Sequence, residues 1–250
     1  MKKTMKIHFV LIALLTASGI AFSATETTEK KPVEKKTTIE KKATETTTVE
    51  KSAPKTEKMS KLVLKLPAPL FEGTPKKTST KHLERKPTVV EVFIPAGVTN
   101  VALNKKVTGS DDYPVIGELD LITDGDKDGS DGTFVELGSK VQWVQIDLGA
   151  PKTIYAIAVW HYHAQARIFF DVVVQVADDA AFTKNVRTLF NNDYDNSVGQ
   201  GVGKDKEYID TYKGRLINAK KTKAQFVRLY SAGSTGSEMN HYVEVEVFGE

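Results

Sequence analysis

Apolar residues that recur with a period of two are the feature of this sequence that most restricts its fold. Three segments show the pattern, and their alternating residues are Val144, Ile146 and Leu148, then Val172, Val174 and Val176, then Val243, Val245 and Val247. Side chains of a β-strand alternate between the two faces of a sheet, so each trio should share one face. No long segment repeats with the helical period of 3.6 residues. The sequence therefore predicts an all-β antiparallel sandwich from Val101 onward.

The first 23 residues have the organisation of a secretory signal peptide. A lysine-rich start, residues 1–6, precedes an apolar stretch from Ile7 to about Ala21, and small residues then lead to cleavage before Ala24. About fifteen apolar residues are fewer than the roughly twenty that span a bilayer. We therefore expect an exported protein, periplasmic or extracellular, with no integral membrane segment after the signal is cleaved.

Residues 24–60 consist mostly of Thr, Lys and Glu and lack aromatic residues, which predicts a disordered linker. Lys and Arg outnumber Asp and Glu by 19 to 10 over residues 1–100, whereas Asp and Glu outnumber them by 22 to 16 over residues 101–250. Because the basic excess lies in low-complexity sequence, the charge pattern does not support nucleic-acid binding. The chain contains no cysteine, so disulfides are excluded.

Residues 61–95 differ from the linker and are called the apron here. Leucines alternate at positions 62, 64 and 66, prolines interrupt the pattern at positions 67 and 69, and an apolar run follows from Val89 to Ile94. Prolines confine such strands to edges or to extended segments. We expect an extended segment attached to the main domain.

Carboxylates alternate with glycines in a short loop ahead of the first predicted strand. The loop reads Asp124, Gly125, Asp126, Lys127, Asp128, Gly129, Ser130, Asp131, Gly132 and Thr133. Glycines allow a tight backbone wrap while several oxygens converge, as a hard cation with about six to eight oxygen ligands requires. A helix-loop-helix calcium site is not indicated, because Val135 stands where its bidentate Glu would be. We therefore predict a calcium loop of a β-domain, with a solvated turn that binds no ion as the alternative.

The segment from Trp160 to Arg167 is the first candidate ligand site, because it connects two predicted strands. Its candidate side chains are Trp160, Tyr162, His161, His163 and Arg167. An aromatic ring suits the C–H face of a sugar, and forked or planar donors suit its hydroxyls. Alternatively, the aromatic residues belong to the core and Arg167 pairs with Asp171. The histidines could also bind zinc together with His241.

Two further polar loops carry candidate residues. Residues 191–197 are rich in Asn and Asp, which could bind sugar hydroxyls or a second cation but also favour turns. Residues 236–242 contain Asn240 and His241, which we take as additional ligand candidates.

Five blocks of the sequence, in order, resemble the discoidin or coagulation factor V/VIII type C family. The blocks are residues 100–108, 122–126, 142–149, 226–229 and 244–249. The resemblance covers about residues 96–250 and implies a galactose-binding-like jelly roll, a fold found in many bacterial carbohydrate-binding modules. It constrains the fold more than the ligand.

The carbohydrate-binding branch of that family holds a structural calcium ion, and the resemblance implies its ligands here. The implied side chains are Asp124, Asp126 and Glu244, with carbonyl oxygens near Leu121 and Val243. Asp131 or Thr133 could complete the coordination, although the spacing departs from the family pattern at these positions.

The sequence thus favours a secreted, non-catalytic carbohydrate-binding module that recognises glycans through loops at one end of a calcium-stabilised sandwich. A cell-surface or periplasmic protein-interaction domain on the same fold is the alternative, since fold alone does not select the partner. A glycoside-acting enzyme is the third hypothesis. It would require two carboxylates about 5 to 10 Å apart, a spacing that a sequence does not provide.

Overall fold

The computed structural model describes residues 58–70 and 78–250. The predicted signal peptide and nearly all of the predicted linker lie outside these residues. The described part of the chain contains ten β-strands and one 3₁₀ helix. They are β1 (Met59–Lys61), β2 (Phe93–Pro95), β3 (Thr99–Asn100), β4 (Val107–Gly109), the 3₁₀ helix (Leu119–Thr123), β5 (Val135–Ser139), β6 (Gln142–His161), β7 (Val173–Ala177), β8 (Arg187–Asn191), β9 (Arg215–Ser231) and β10 (Met239–Gly249). The fold is therefore all-β in its regular elements apart from one short helical turn, as the sequence predicted.

The first layer of the sandwich has the strand order β8, β7, β9, β6, β4. It uses only the later part of β9, from Phe226, and the earlier part of β6, up to Asp147. All of these pairs are antiparallel. The second layer is formed by the remaining parts of β9 and β6 followed by β10, and both β3 and β5 pair with the far edge of β10. The architecture is an antiparallel sandwich of the galactose-binding-like type.

One apolar core lies between the layers. Both layers contribute, because Val144, Ile146 and Leu148 come from the early part of β6 and Ile157 from its later part. The residues Val172, Val174 and Val176 join the same cluster. These two predicted trios are confirmed. Burial at about 25 cal/mol per Å² of apolar surface makes this core the main stabilising contribution to the sandwich.

The third predicted trio, on β10, is not on one face. Val245 and Val247 lie in the core, whereas Val243 packs on the opposite side of the second layer with Phe134 and Trp160. The pairing of β10 with β6 shifts register between Tyr242 and Glu244. This irregularity gives the core position to Tyr242 and turns Val243 away, because an extra residue in one strand reverses the alternation.

The apron packs on the outer face of the second layer. Its residues Leu62 and Val92 are buried against Tyr155 and Ala156 of β6. β1 and β2 pair antiparallel, and the Leu62 N–H donates to the Val92 carbonyl at 2.8 Å. β1 begins at Met59, two residues before the predicted start of the apron at residue 61.

A second contact ties the apron to the first residue of β9 and to the loops before that strand. Glu84 accepts two hydrogen bonds from Nη1 of Arg215, at 3.2 and 3.3 Å. The ring of His82 stacks on Tyr194 at 3.6 Å between centroids, and the backbone N–H of His82 donates to the Glu207 carboxylate. The apron is thus held by both apolar and polar contacts.

Candidate functional site

Four side chains converge where β6 and β5 approach the start of β10, and we call them the rim cluster: Glu136, Tyr162, Arg167 and His241. Glu136 and His241 are directly opposite each other in the pairing of β5 with β10. Tyr162 is the first residue after β6. Strand alternation explains the placement, because the neighbouring Val135, Leu137 and Tyr242 point into the core.

Arg167 is held by its flat face rather than by a carboxylate. Its guanidinium carbon lies 4.6 Å from the centre of the Tyr162 ring, and Nη2 donates to Oε1 of Gln165 at 3.3 Å. Its Nε and Nη1 are buried and have no hydrogen-bond partner in the part of the chain that the structure describes. Unpaired buried donors are costly, particularly on a charged group. A further hydrogen-bond acceptor beside this guanidinium would therefore be favourable.

His241 is paired with the glutamate of the cluster. Its Nε2 lies 2.7 Å from Oε2 of Glu136, and its ring lies 5.8 Å from the Tyr162 ring. Burial lowers the pKa of His241 from its ordinary value of 6.5, an effect that Glu136 opposes and the charge of Arg167 reinforces. The neutral ring is therefore favoured at neutral pH, and the cluster combines one guanidinium with one carboxylate.

Three of the predicted ligand residues, Trp160, His161 and Asn240, lie in the interior instead of at the rim. Trp160 and His161 are not loop residues, since they end β6, and both are fully buried. The Trp160 Nε1–H donates to the Tyr212 carbonyl at 2.9 Å. Its ring packs so closely on Gly214 that a Cβ there would lie 2.6 Å from it. His161 pairs with Asp210 at 3.2 Å and stacks on Phe169.

The Asn240 side chain has all of its hydrogen-bond partners inside the protein. The Asn240 amide donates to the carbonyls of Gly138 and Lys140, each at 2.8 Å, and its oxygen accepts from Ser231 and Gly233. Its hydrogen-bonding capacity is fully used.

His163 is buried, with Nε2 2.9 Å from the Lys127 carbonyl, and a Cβ at Gly129 would collide with its ring. It supports the loop of residues 124–133. Of the predicted ligand residues, the rim brings together Tyr162, Arg167 and His241.

The loop of residues 124–133 meets β10 at a second polar location, the glutamate corner, which we define as Glu244, Glu246 and Lys127. Glu244 is fully buried, and its Oε2 accepts from the Gly125 N–H at 3.1 Å. Its Oε1 has no partner among the described residues. Burial raises the pKa of Glu244 to about 9, and the charges of Glu246 and Asp124 add to the effect.

Glu246 differs from Glu244 because it has a cation of its own. The Lys127 ammonium lies 2.7 Å from Oε1 of Glu246 and 5.4 Å from the Trp160 ring centre, and both charged side chains are about nine-tenths buried. The same ammonium is 3.4 Å from the Gly125 carbonyl. The sequence analysis placed Lys127 in the predicted calcium loop and assigned it no partner.

The predicted calcium ligands fit a cation in part. The Glu244 carboxylate lies beside the Asp124–Gly125 turn, and a cation would satisfy its Oε1, which has no partner within residues 58–70 and 78–250. Asp124 and Asp126 are exposed, and one oxygen of each already accepts a backbone N–H, from Asp126 and Asp128 respectively.

The remaining predicted ligands are not shown to join them. Thr133 donates its hydroxyl to the Ser130 carbonyl and Asp131 is exposed. The Val243 side chain is turned to the outer face, and Leu121 is half-buried in the middle of the 3₁₀ helix. Coordination by the carbonyls of these two residues remains a prediction.

A separate acidic group, Asp171, Asp193 and Asp195, could hold a metal ion. Within the described residues it is the group of His, Asp or Glu side chains whose ligand atoms all lie within 4.8 Å of one another. Asp193 and Asp195 belong to the Asn-rich loop considered from the sequence. Hydrogen bonds from Ser197 and Val198 already engage both Asp193 oxygens, which also agrees with a structural turn. His161, His163 and His241 do not form such a group.

Sequence reasoning missed Glu136 and Phe134. Glu136 stands between the core residues Val135 and Leu137, so its outward direction was predictable, but its pairing with His241 depends on the register of β5 and β10. Phe134 packs edge-to-face on Tyr162 at 5.0 Å between ring centres.

No helix in the described residues is long and apolar enough to cross a bilayer.

The strand topology defines a galactose-binding-like antiparallel sandwich with polar side chains gathered at its rim. Residues 121–229 match the model of the factor V/VIII type C family whose description is NedA-like, galactose-binding domain. The family recognised from the sequence blocks is thereby confirmed for this part of the chain. A search of curated proteins gives no match.

Solved structures with a similar chain trace include two carbohydrate-binding modules and one glycoside hydrolase. The CBM32 of AlyQ in complex with 4,5-unsaturated mannuronic acid is 17% identical and covers 57% of this chain and 93% of its own, with a TM-score of 0.43. A chitosan-binding module from a Paenibacillus sp. IK-5 chitosanase/glucanase is 21% identical and covers 60% and 99%, with a TM-score of 0.40. A family 89 glycoside hydrolase from Clostridium perfringens is 17% identical, with a TM-score of 0.46. The match covers 60% of this chain but spans only 14% of that enzyme.

Proposed function

We propose that the domain of residues 96–250 binds carbohydrate at the rim cluster and performs no catalysis. The observation that carries the proposal is the Arg167 guanidinium, which stacks on Tyr162 next to the His241–Glu136 pair. Two of its nitrogens, Nε and Nη1, have no hydrogen-bond partner among the described residues. The galactose-binding description of the matching family supports the same class of ligand.

The chemistry of the rim cluster suits a sugar with adjacent hydroxyl groups. A guanidinium presents parallel donors to two oxygens, and the Glu136 carboxylate accepts a hydroxyl proton. The half-buried Tyr162 ring supplies apolar contact for a C–H surface. Affinity at a single site of this kind is expected to be weak, near millimolar, which corresponds to about 4 kcal/mol.

A glycan array followed by calorimetric titration tests this proposal on the full chain. Replacing Arg167 by Ala should weaken binding of the selected glycan about tenfold or more, because charge-assisted hydrogen bonds are lost. The matched control is Arg187→Ala, an arginine on β8 that pairs with Asp178 at 3.3 Å. Equal affinity of Arg167→Ala and the unmodified protein would refute binding at the rim cluster.

We also propose that calcium binds at the glutamate corner and ties the loop to β10. Glu244 and Asp124 would hold the ion. The supporting observation is that Oε1 of the buried Glu244 has no partner in the part of the chain that the structure describes. The ion would supply positive charge to a buried carboxylate and connect residues about 120 positions apart, as expected of a structural site. Residues 1–23 remain our proposed export signal, and we propose a periplasmic or extracellular location.

A protein ligand is the second candidate, favoured by exposed apolar residues close to the rim. Tyr113 is 88% exposed and Val115 is 60% exposed, and the Val115 N–H donates to the Glu136 carbonyl at 2.7 Å. Tyr113→Ser would reduce capture of a protein ligand but leave titration with a monosaccharide unchanged.

A further inference from the structure

A cavity of about 310 Å³ lies between the apron and β9, away from both polar locations described above. Its lining residues are Val92, Phe93, Tyr155, Asn218, Lys220 and Lys221. Tyr155 precedes His161 by six residues on β6, so the cavity is roughly 20 Å from the rim. The cavity volume is at the lower end of the range of ligand sites.

The charged residues that line the cavity are both cationic, although the Glu250 carboxylate contacts another lining residue, Tyr155. Two lining residues carry ammonium groups, Lys220 and Lys221, and none carries a carboxylate. The Lys221 ammonium is 5.7 Å from the centre of the Tyr155 ring. The Tyr155 hydroxyl donates to Oε1 of Glu250 at 2.7 Å, so that hydroxyl is already engaged. An anion is the ligand that this arrangement favours.

The backbone of the two lysines is held in an unfavourable conformation. Lys220 and Lys221 have φ angles of +54° and +58°, the left-handed region that glycine and asparagine enter most readily. The Asn218 side chain fixes the turn by accepting the Lys220 N–H at 2.9 Å. Two consecutive lysines in such a turn place both charges at the cavity at a conformational cost, and residues with strained backbones concentrate at functional sites.

An exposed aromatic ring completes the cavity. Phe93 is 54% exposed although its neighbour Val92 is buried in the apron contact. Tyr155 lines the same cavity and is buried. Aromatic surfaces beside cationic groups match the apolar face and the acidic substituent of a charged sugar.

We propose that this cavity binds an acidic saccharide, with Lys220 and Lys221 contacting its carboxylate, sulfate or phosphate group and Phe93 contacting its ring. The site shares no residue with the rim cluster. Its test can therefore fail while glycan binding at Arg167 holds, and the reverse is also possible. A chain with both sites could contact two positions of one polysaccharide.

Titration of the full chain with trigalacturonate, a uronic acid trisaccharide, tests the proposal. The variant Lys220→Asn/Lys221→Asn removes both charges while asparagine tolerates the left-handed backbone. It should weaken trigalacturonate binding about tenfold or more. The matched control is Lys184→Asn/Lys204→Asn, which removes two exposed lysines outside the cavity lining and should bind as the unmodified chain does. Equal losses in both double variants would indicate non-specific attraction and overturn the site.

Two further arms separate the sugar from the charge. Phe93→Ala leaves the charge unchanged and should weaken trigalacturonate binding severalfold, with an unchanged melting curve as its folding control. Maltotriose, a neutral trisaccharide, should not bind at the cavity. Inorganic phosphate that competes as strongly as trigalacturonate would show recognition of an anion alone and overturn the saccharide assignment. Raised salt should weaken trigalacturonate binding, since exposed charges are screened.

Discussion

The outer face of the second layer has two ends that differ in how their polar atoms are satisfied. At the apron end, Leu62 and Val92 cover Tyr155 and Ala156 with apolar contacts. At the rim end, buried polar atoms without described partners collect, among them Oε1 of Glu244 and Nε of Arg167. Apolar cover completes packing, whereas unpaired polar atoms are costly and point to binding. The buried apolar contacts of the apron therefore stabilise the fold, with the proposed saccharide cavity at their edge. The unpaired polar atoms of the rim end point to recognition there.

The largest expected effect concerns the apron end. Leu62→Ala should lower the free energy of unfolding by about 2 to 4 kcal/mol, because it leaves a cavity against Tyr155. Its neighbour Val63 is 83% exposed, so Val63→Ala should change stability by less than about 0.5 kcal/mol. Denaturant unfolding measures both. Similar values for the two variants would mean that the apron contributes little to the stability of the sandwich.

The second effect concerns the paired glutamate of the glutamate corner. Glu246→Gln leaves the buried Lys127 ammonium without its carboxylate and should cost about 3 kcal/mol. The double variant Lys127→Met/Glu246→Gln should be less destabilised than the sum of the two single variants, because the paired residues are coupled. Additive losses in this cycle would show that the contact is energetically unimportant.

The third effect is the response of stability to calcium, which should depend on Glu244 but not on Glu246. Both glutamates lie on the same face of β10. Saturating calcium at about 100 times the dissociation constant should stabilise the protein by about 2.7 kcal/mol, and a chelator should remove that gain. Glu244→Gln should abolish the calcium response of the melting temperature, whereas Glu246→Gln should retain it. A melting temperature that is the same with calcium and with chelator would rule out the proposed ion.

The smallest effect is a pH dependence at the rim. Because the pKa of His241 is lowered from 6.5 in the folded state, the unfolded chain binds the proton more readily. Its contribution to stability is therefore complete above pH 6.5 and is lost as the pH falls below that value. His241→Asn should reduce this loss, whereas His82→Asn, outside the rim cluster, should not. The measurement is the free energy of unfolding of the unmodified protein and both variants between pH 7.5 and 5. The same loss in His241→Asn as in the unmodified protein would contradict the prediction.

The sequence predicted the β-class of the fold because strand alternation is a local property. Val144, Ile146 and Leu148 needed only their period of two to be assigned to the core. The register shift near Val243 was not predictable in that way, since it arises from the pairing of β10 with β6. The packing of the apron likewise depends on contacts between residues about 90 positions apart, such as Leu62 with Tyr155.

Candidate site residues were predictable by type but not by depth. The segment from Trp160 to Arg167 was chosen because aromatic, His and Arg side chains suit sugars, yet Trp160 is enclosed by Gly214 and Tyr212. Arg167 stays at the rim because its guanidinium stacks on Tyr162. Which side chains remain accessible depends on the surrounding loops, whose positions a periodic pattern does not encode.

The long strands β6 and β9 each pass from one layer into the other, and their pairing is irregular where they cross. The two sheets are therefore joined by continuous backbone at two neighbouring places as well as by the contacts between them. A force that separated the sheets would have to deform or break the pairing of these shared strands. The sandwich should therefore resist shear and unfold under force in one step.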